Sequence, residues 1–474
     1  MSTAPHGTTT PAPAASPVRD LPVPPPLKRM AGPGVIMVGV GMAAGEIILW
    51  PYITATEGIG LLWLALMTLV MQYVINMEIE RYTLATGETA IGGFSRAWRP
   101  WGLVICLAAL FQYVWPGWAS GGSEVLTFLV GGGDVALITV GSLVVIGVLL
   151  SFSPIVYKAV VRVESIKVAA TVFFLLVAIL TVVSLGDWAN AGAEVVRNTG
   201  QIPQGVSVAL VVGAVGAAGS GGVANLVLSN WVRDKGYGMG AHVPRLVSPI
   251  TGQEEPSTGG NAFSFPVDEA NLARWRTWWR RANAEHLLSF MVVSFVSITV
   301  MSLVAFATLQ GQDLGEADSG FLETEADVLS ATVGPWLRTF FLAFATVSLY
   351  ASALGLLDVV GRVVSDVLKT NYLADSSFWS ESRLYLAAVW AEVAVGSGIL
   401  LSGLDQPLAL LVIATATGAV IMFVYSVLLV RLNRTALPAP IRLRGRRLAA
   451  MVVACAFYGV FTVLLVRDQV GQLL

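Results

Sequence analysis

The sequence predicts an all-α membrane protein of about eleven transmembrane helices. It predicts a five-plus-five inverted repeat with helices 1 and 6 broken, the N-terminus inside and the C-terminus outside. Three observations carry this. Hydrophobic residues make up 55% of the 474-residue chain and charged residues only 12%, about half the charged share of a soluble domain. Lys and Arg fall almost wholly on alternate loops once the apolar runs are laid out as spans. Two apolar runs carry matched glycine clusters at their centres.

The chain opens with a Pro-, Ala-, Ser- and Thr-rich stretch from Met1 to about Pro26. It has too little apolar surface to fold, so residues 1–30 are expected to form a disordered cytoplasmic tail. It has no apolar centre of the kind a signal peptide needs. Residues 31–474 are expected to form a single transmembrane domain. Its spans read as 34–56, 60–80, 102–130, 135–153, 163–185, 206–231, 285–309, 334–360, 384–402, 407–430 and 448–466, each long enough for about 30 Å of hydrocarbon. Spans 1–5 (34–185) and 6–10 (206–431) are the two repeats, and 448–466 is an extra helix. With the N-terminus inside, 25 of the 28 Lys and Arg lie on the cytoplasmic side; Arg197, Arg338 and Arg467 are the exceptions. This layout makes a direct prediction. A cysteine placed at 313–327 reacts with an impermeant thiol reagent from outside, and one at 255–260 does not. The reverse labelling would overturn the span count.

The loops carry less. The 310–333 segment holds Asp313, Glu316, Asp318, Glu323, Glu325 and Asp327. It reads as a solvated outer loop, with a cation-concentrating funnel as the alternative. The long cytoplasmic connection 233–283 has a Gly-, Pro-, Ser- and Thr-rich centre at Pro244–Pro266. It ends in Arg274–Arg281 with Trp275, Trp278 and Trp279, a composition suited to a short interfacial helix.

The composition also excludes functions. The net charge of −2 gives no field for nucleic acid, and no obligate protein partner is evident. Cys106 and Cys455 lie inside apolar runs, and the three histidines have no zinc spacing. There is no Walker A sequence and no dinucleotide fingerprint. No nucleophile–base pair suggests an enzyme, and no resident cofactor is expected.

The functional signal lies in the glycines. Gly39-Val40-Gly41-Met42-Ala43-Ala44-Gly45-Glu46 sits in span 1, and Gly213-Ala214-Val215-Gly216-Ala217-Ala218-Gly219-Ser220-Gly221-Gly222 in span 6. Both contain Ala-Ala-Gly followed by a polar residue, 174 positions apart. Each opens a set of five helices, and five is odd, so the second set starts from the opposite side of the membrane. Clustered glycines let a helix unwind. The freed carbonyls and amides must then meet a ligand, protein or water, because lipid cannot satisfy them. The other reading is close helix packing through small residues.

These features, taken with short motifs from Gly32 to Leu474, resemble the Nramp family of divalent-metal transporters, within the amino acid–polyamine–organocation superfamily. The motifs are Gly32-Pro33-Gly34, Leu61-Leu62-Trp63, Thr86-Gly87, Tyr157-Lys158, Arg162-Val163-Glu164, Gly213 to Gly216, and Asn225-Leu226. The resemblance implies eleven or twelve helices in a five-plus-five repeat and ion-coupled transport. Two departures stand out. The family's Asp-Pro-Gly-Asn in span 1 corresponds to Ala43-Ala44-Gly45-Glu46. Its Met-Pro-His in span 6 corresponds to a place near Gly222-Val223-Ala224. Without a thioether the site loses the soft ligand that favours transition metals. A hard cation such as magnesium, or a non-metal solute, fits better.

The expected site follows from these positions. Ala43, Gly45, Glu46, Gly219, Ser220, Gly222 and Asn225 are the substrate-binding candidates, and Glu46 is the metal ligand. Glu46, Glu124 and Asp358 are the candidates for carrying a coupling proton or sodium ion. A salt bridge to Arg362 is the structural alternative for Asp358. Glu164 with Lys167, and Glu80 with Arg81, read as gate or anchoring charges at cytoplasmic helix ends. Glu392 reads as peripheral, and Thr415 and Thr417 as weak candidates for the cavity wall. The expected function is ion-coupled secondary transport of a divalent cation across the plasma membrane, with H+ or Na+ as coupling ion. A small organic solute is the alternative cargo. A non-transporting sensor is a third reading, disfavoured by the short tail after span 11.

Overall fold

The computed structural model describes residues 17–30, 32–152, 156–203, 205–243, 262–312 and 320–473. Expectations resting on residues 1–16 and 244–261, on Asp313, Glu316 and Asp318, and on the side chains of Tyr157 and Lys158 lie outside these residues. Eleven helices among the described residues are long and apolar enough to cross a membrane. They are Pro33–Glu57, Ile59–Thr86, Pro100–Val130, Val135–Phe152, Val160–Thr181, Val208–Lys235, Glu269–Leu309, Pro335–Asn371, Glu381–Leu401, Pro407–Thr435 and Arg446–Gly471, numbered below as spans 1–11. The chain is an integral, multi-pass membrane protein. Apart from helices, one isolated β-bridge joins Val18 to Ser264.

Burial sorts the spans. The most apolar stretches of spans 1 and 6 are 94% and 89% buried, against 22% for span 11. Spans 1 and 6 are therefore the centre of the bundle, and span 11 is its lipid-facing edge. Lipid offers no hydrophobic drive for helix association, so close approach through small residues has to supply it. Gly361 of span 8 lies under the Tyr385 ring of span 9, where an added Cβ would sit 2.7 Å from ring carbons. Gly216 of span 6 lies directly against the Thr415 carbonyl of span 10.

Several elements differ from the sequence reading. Span 3 is two helices, Pro100–Tyr113 and Gly117–Val130. Pro116 lacks the amide that would continue the ladder between them. The Trp- and Arg-rich interfacial helix, Glu269–His286, does not stand apart but runs into span 7 through a π turn at Leu287–Val292. Span 8 continues about eleven residues beyond its expected end, to Asn371.

Part of the stretch expected to be disordered is held against the helices. Pro17–Met30 is packed, with Leu21 and Met30 fully buried. Its prolines leave carbonyls unpaired within the chain, and the helix Glu269–His286 takes them up. Trp278 Nε1 donates to the Pro22 carbonyl at 2.7 Å, and Arg281 to those of Pro24 and Pro25 at 2.8 and 2.6 Å. Asn271 accepts the Leu21 amide at 2.9 Å. A polyproline strap thus binds the start of span 1 to the helix that leads into span 7.

The described part of the acidic segment 310–333 is not merely solvated. Phe321–Thr332 is a helix whose buried face is Phe321, Leu322, Glu325, Ala326 and Leu329. Arg338 pairs with Asp327 at 2.7 Å and with Glu323 at 3.4 Å, so those two carboxylates are largely neutralised as a funnel. Glu325 is fully buried and neither oxygen has a hydrogen-bond partner. Burial pushes its carboxyl up to about 8. An unfolded glutamate titrates near ~4.3. Between those values the folded protein holds a proton the unfolded chain has released, so stability falls as pH rises through that window. The steepest slope one group allows is about 1.4 kcal/mol per pH unit. Glu325→Gln is expected to flatten the decline in unfolding temperature between pH 5 and 8. An identical pH profile in the variant would show that the carboxyl is not held neutral.

Candidate functional site between two broken helices

Span 1 is helical over Pro33–Gly41 and breaks at Met42 and Ala43, where the backbone leaves helical geometry. It resumes as a π turn at Ala44–Leu49 and continues to Glu57. Span 6 is helical over Val208–Ala217, is extended at Ala218 and resumes at Gly222. Gly219 and Gly221 between them take φ of +82° and +66°, a region that L side chains adopt only with strain. The two breaks touch. A Cβ on Gly41 would overlap the Gly219 carbonyl, and one on Gly45 the Ala217 carbonyl. This contact is why Gly41 and Gly45 are glycines: the unwound backbones pack face to face there.

Unwinding leaves backbone groups without helical partners, and side chains from spans 2 and 3 take them. Gln72 donates to the Ala218 carbonyl. Its Oε1 accepts the Ser220 and Gly221 amides at 3.3 and 3.4 Å. Gln112 Oε1 accepts the Val223 amide at 3.0 Å, and the Tyr113 hydroxyl accepts the Ala224 amide at 3.2 Å. That hydroxyl in turn donates to the Gly221 carbonyl at 3.5 Å. At the span 1 break the Gly39 and Val40 carbonyls of the first half-helix are buried and take side-chain partners. Lys167 of span 5 donates to Gly39 and to the Ser352 hydroxyl, and Ser352 of span 8 donates to Val40 at 2.8 Å. A cation is favoured at a helix C-terminus, and here it is a fixed ammonium.

Glu46 is 1% exposed and neither carboxylate oxygen has a hydrogen-bond partner. The backbone amides of Ala43, Glu46 and Gly219 face it, and the Lys167 ammonium acts on it electrostatically. The carboxylate therefore sees both breaks. Beside it lies a cavity of about 280 Å³ lined by Val40, Gly41, Gln112, Tyr113, Trp118 and Ser220 among others. Thr415 of span 10 is on the same wall. Ser220 Oγ has no partner and is free to meet a ligand.

The other expected residues are distributed. Ala43, Gly45, Gly219 and Ser220 lie at the breaks, Gly222 opens the second half of span 6, and Asn225 sits one turn further. Asn225 reaches Gln72 at 3.5 Å. Glu124, in the second half of span 3, is outside the cavity walls. Asp358 is also outside them. Arg362 donates to it at 2.7 Å, Tyr385 at 2.9 Å and Trp231 at 3.4 Å. Glu164 and Lys167 form a fully buried pair at 3.7 Å; Lys167 sits at the span 1 break and not at a helix end. Lys167, Gln72, Gln112 and Tyr113 are the residues the sequence reading did not place in the site. The first three carried a signal: each is a polar side chain amid an apolar run.

No protein-family model matches the chain, and no curated protein does. Solved structures do. A histidine-to-alanine mutant of the Eremococcus coleocola manganese transporter is 14% identical over 94% of this chain and 88% of its own, with a TM-score of 0.64. The same transporter bound to an aromatic bis-isothiourea substituted compound is 15% identical over 92% and 85%, with a TM-score of 0.61. A nucleobase-cation-symport-1 family transporter, closed with bromovinylhydantoin bound, is 12% identical over 96% and 95%, with a TM-score of 0.51. At these identities the likeness establishes the fold.

Proposed function

We propose that this chain is a secondary transporter that holds its cargo between the broken spans 1 and 6 and exchanges it by alternating access. The cargo is a small, hard cation and the coupling ion is a proton. The observation that carries this reading is Glu46: a carboxylate 1% exposed, at the contact of two unwound helices, with no side chain bound to it. A carboxylate in that position needs either a proton or a cation. Exchange of one for the other couples their movements. The Ser220 hydroxyl and the backbone oxygens of the breaks supply neutral ligands of the kind a partly hydrated hard cation accepts. The Lys167 ammonium already occupies the carbonyl end of the first half of span 1, where a sodium ion would otherwise be stabilised. That favours H+ over Na+.

A second reading has its own support. Glu46 is not among the walls of the adjacent cavity, whereas Tyr113, Trp118, Gln112 and Thr415 are. Aromatic faces with a few neutral hydrogen-bonding groups are typical of sites for small organic molecules. Uptake into proteoliposomes decides between them. Magnesium, calcium and manganese are offered under an inward proton gradient and under an inward sodium gradient. The first reading expects divalent uptake driven by the proton gradient and unaffected by sodium. Absence of divalent uptake in vesicles that accumulate an organic solute would replace it with the second.

A further inference from the structure

A second cavity, of about 350 Å³, lies beside the first, between spans 3, 4, 8 and 9. It shares Tyr113, Trp118 and Leu356 with the cavity at the helix breaks. Its walls include Trp115 and Leu143, and Glu392 of span 9. Glu392 is 7% exposed and neither carboxylate oxygen has a hydrogen-bond partner; Trp115 Nε1 is also buried without one. Two unmatched polar groups of opposite character therefore line one aromatic-walled space. The sequence reading took Glu392 as peripheral; it lines the same cavity as Tyr113.

We propose that this cavity is a binding site for a small primary alkylammonium ion, with Glu392 as its counter-charge. Donor count argues against a metal. Magnesium and calcium take six or more oxygens, and here the one carboxylate is the only anionic ligand. The Tyr113 hydroxyl is already bonded to the backbone of span 6. An alkylammonium needs fewer oxygens. Its N–H groups go to the carboxylate, its remaining charge is stabilised by tyrosine and tryptophan rings, and its alkyl body fits the apolar wall of Leu143 and Leu356. The opening in span 3 at Val114–Pro116 is what makes room for it, since those residues form part of the wall. Because Tyr113 borders both cavities and caps the span 6 break, an occupant here touches the same residue that holds the cargo site together. The inference stands apart from the identity of the cargo.

The test is a titration of purified protein in nanodiscs with ethylammonium chloride, against sodium chloride at matched ionic strength. Ethylammonium is expected to raise the unfolding temperature saturably, as a ligand of the folded state must, and sodium is not. Glu392→Gln should abolish the saturable shift. Glu46→Gln should retain it, which separates this site from the one at the breaks. Trp115→Leu keeps the carboxylate and should weaken ethylammonium about tenfold through loss of the ring; it carries the test if Glu392→Gln does not fold. No saturable shift in the wild type, or an equal shift in Glu392→Gln, overturns the proposal. So does a wild type whose stability follows pH through Glu392 but ignores ethylammonium, which would make Glu392 a proton site.

Discussion

Glu46→Gln is expected to insert and fold as the wild type does and to lose transport at least tenfold. The substitution keeps the shape of the side chain and removes its charge. Folding should survive because a neutral amide costs less than a carboxylate inside a membrane, and the wild-type carboxylate has no hydrogen-bond partner to lose. Transport should not survive. The side chain faces amides from both breaks, and with it goes the carboxyl that can exchange a proton for a cation at their contact. A tenfold loss corresponds to about 1.4 kcal/mol of transition-state stabilisation, well within what loss of one charge-assisted ligand removes. If Glu46 also carries the coupling proton, the pH dependence of uptake flattens in the variant. A purely structural Glu46 gives the opposite pair of results: lower thermal stability and unchanged uptake per folded molecule. Both quantities come from one preparation, so the two roles cannot be confused.

The positions of the breaks were legible because glycine and a polar residue recur at matched places in two apolar runs, and few arrangements other than unwinding need that. The span count was legible because lipid forbids unpaired backbone and because basic residues sort by side. What the sequence hid is what serves the breaks from elsewhere. Gln72, Gln112 and Tyr113 lie over a hundred positions from the amides they cap, and nothing local marks their direction. Lys167 looked like an end-of-helix charge because the expected start of span 5, at 163, placed it near the cytoplasm. The helix begins at Val156, which moves Lys167 about two turns further from the helix end. The strap at Pro17–Met30 was misread for a related reason. Proline-rich composition argues against a core, but it does not prevent an extended chain from bonding to a neighbouring helix.

Arg362→Met is expected to destabilise the protein by about 3–5 kcal/mol, the usual cost of leaving a buried charge without its partner. Arg362 is 1% exposed and is bonded both to Asp358 on its own helix and to Asp234 at the end of span 6. Tyr385 of span 9 and Trp231 of span 6 close the network around Asp358. Nearby, Arg233 links span 6 to Asp366 of span 8 at 3.4 Å and to Glu381 of span 9 at 3.5 Å. Without Arg362, Asp234 keeps the Arg233 guanidinium at 3.5 Å, but Asp358 is left with two neutral donors. Adding Asp358→Asn to Arg362→Met should therefore restore much of the loss, because the stranded charge is removed with its partner. The same variants test Asp358 as a coupling residue. A structural Asp358 predicts that the double variant recovers both unfolding temperature and uptake. A proton-carrying Asp358 predicts recovered stability with uptake still absent. The network also joins the second half of span 6 to spans 8 and 9, so it has to rearrange if span 6 is to move against them. The milder Arg233→Gln, which loosens the outer pairs without stranding Asp358, is accordingly expected to change the rate of exchange more than the unfolding temperature.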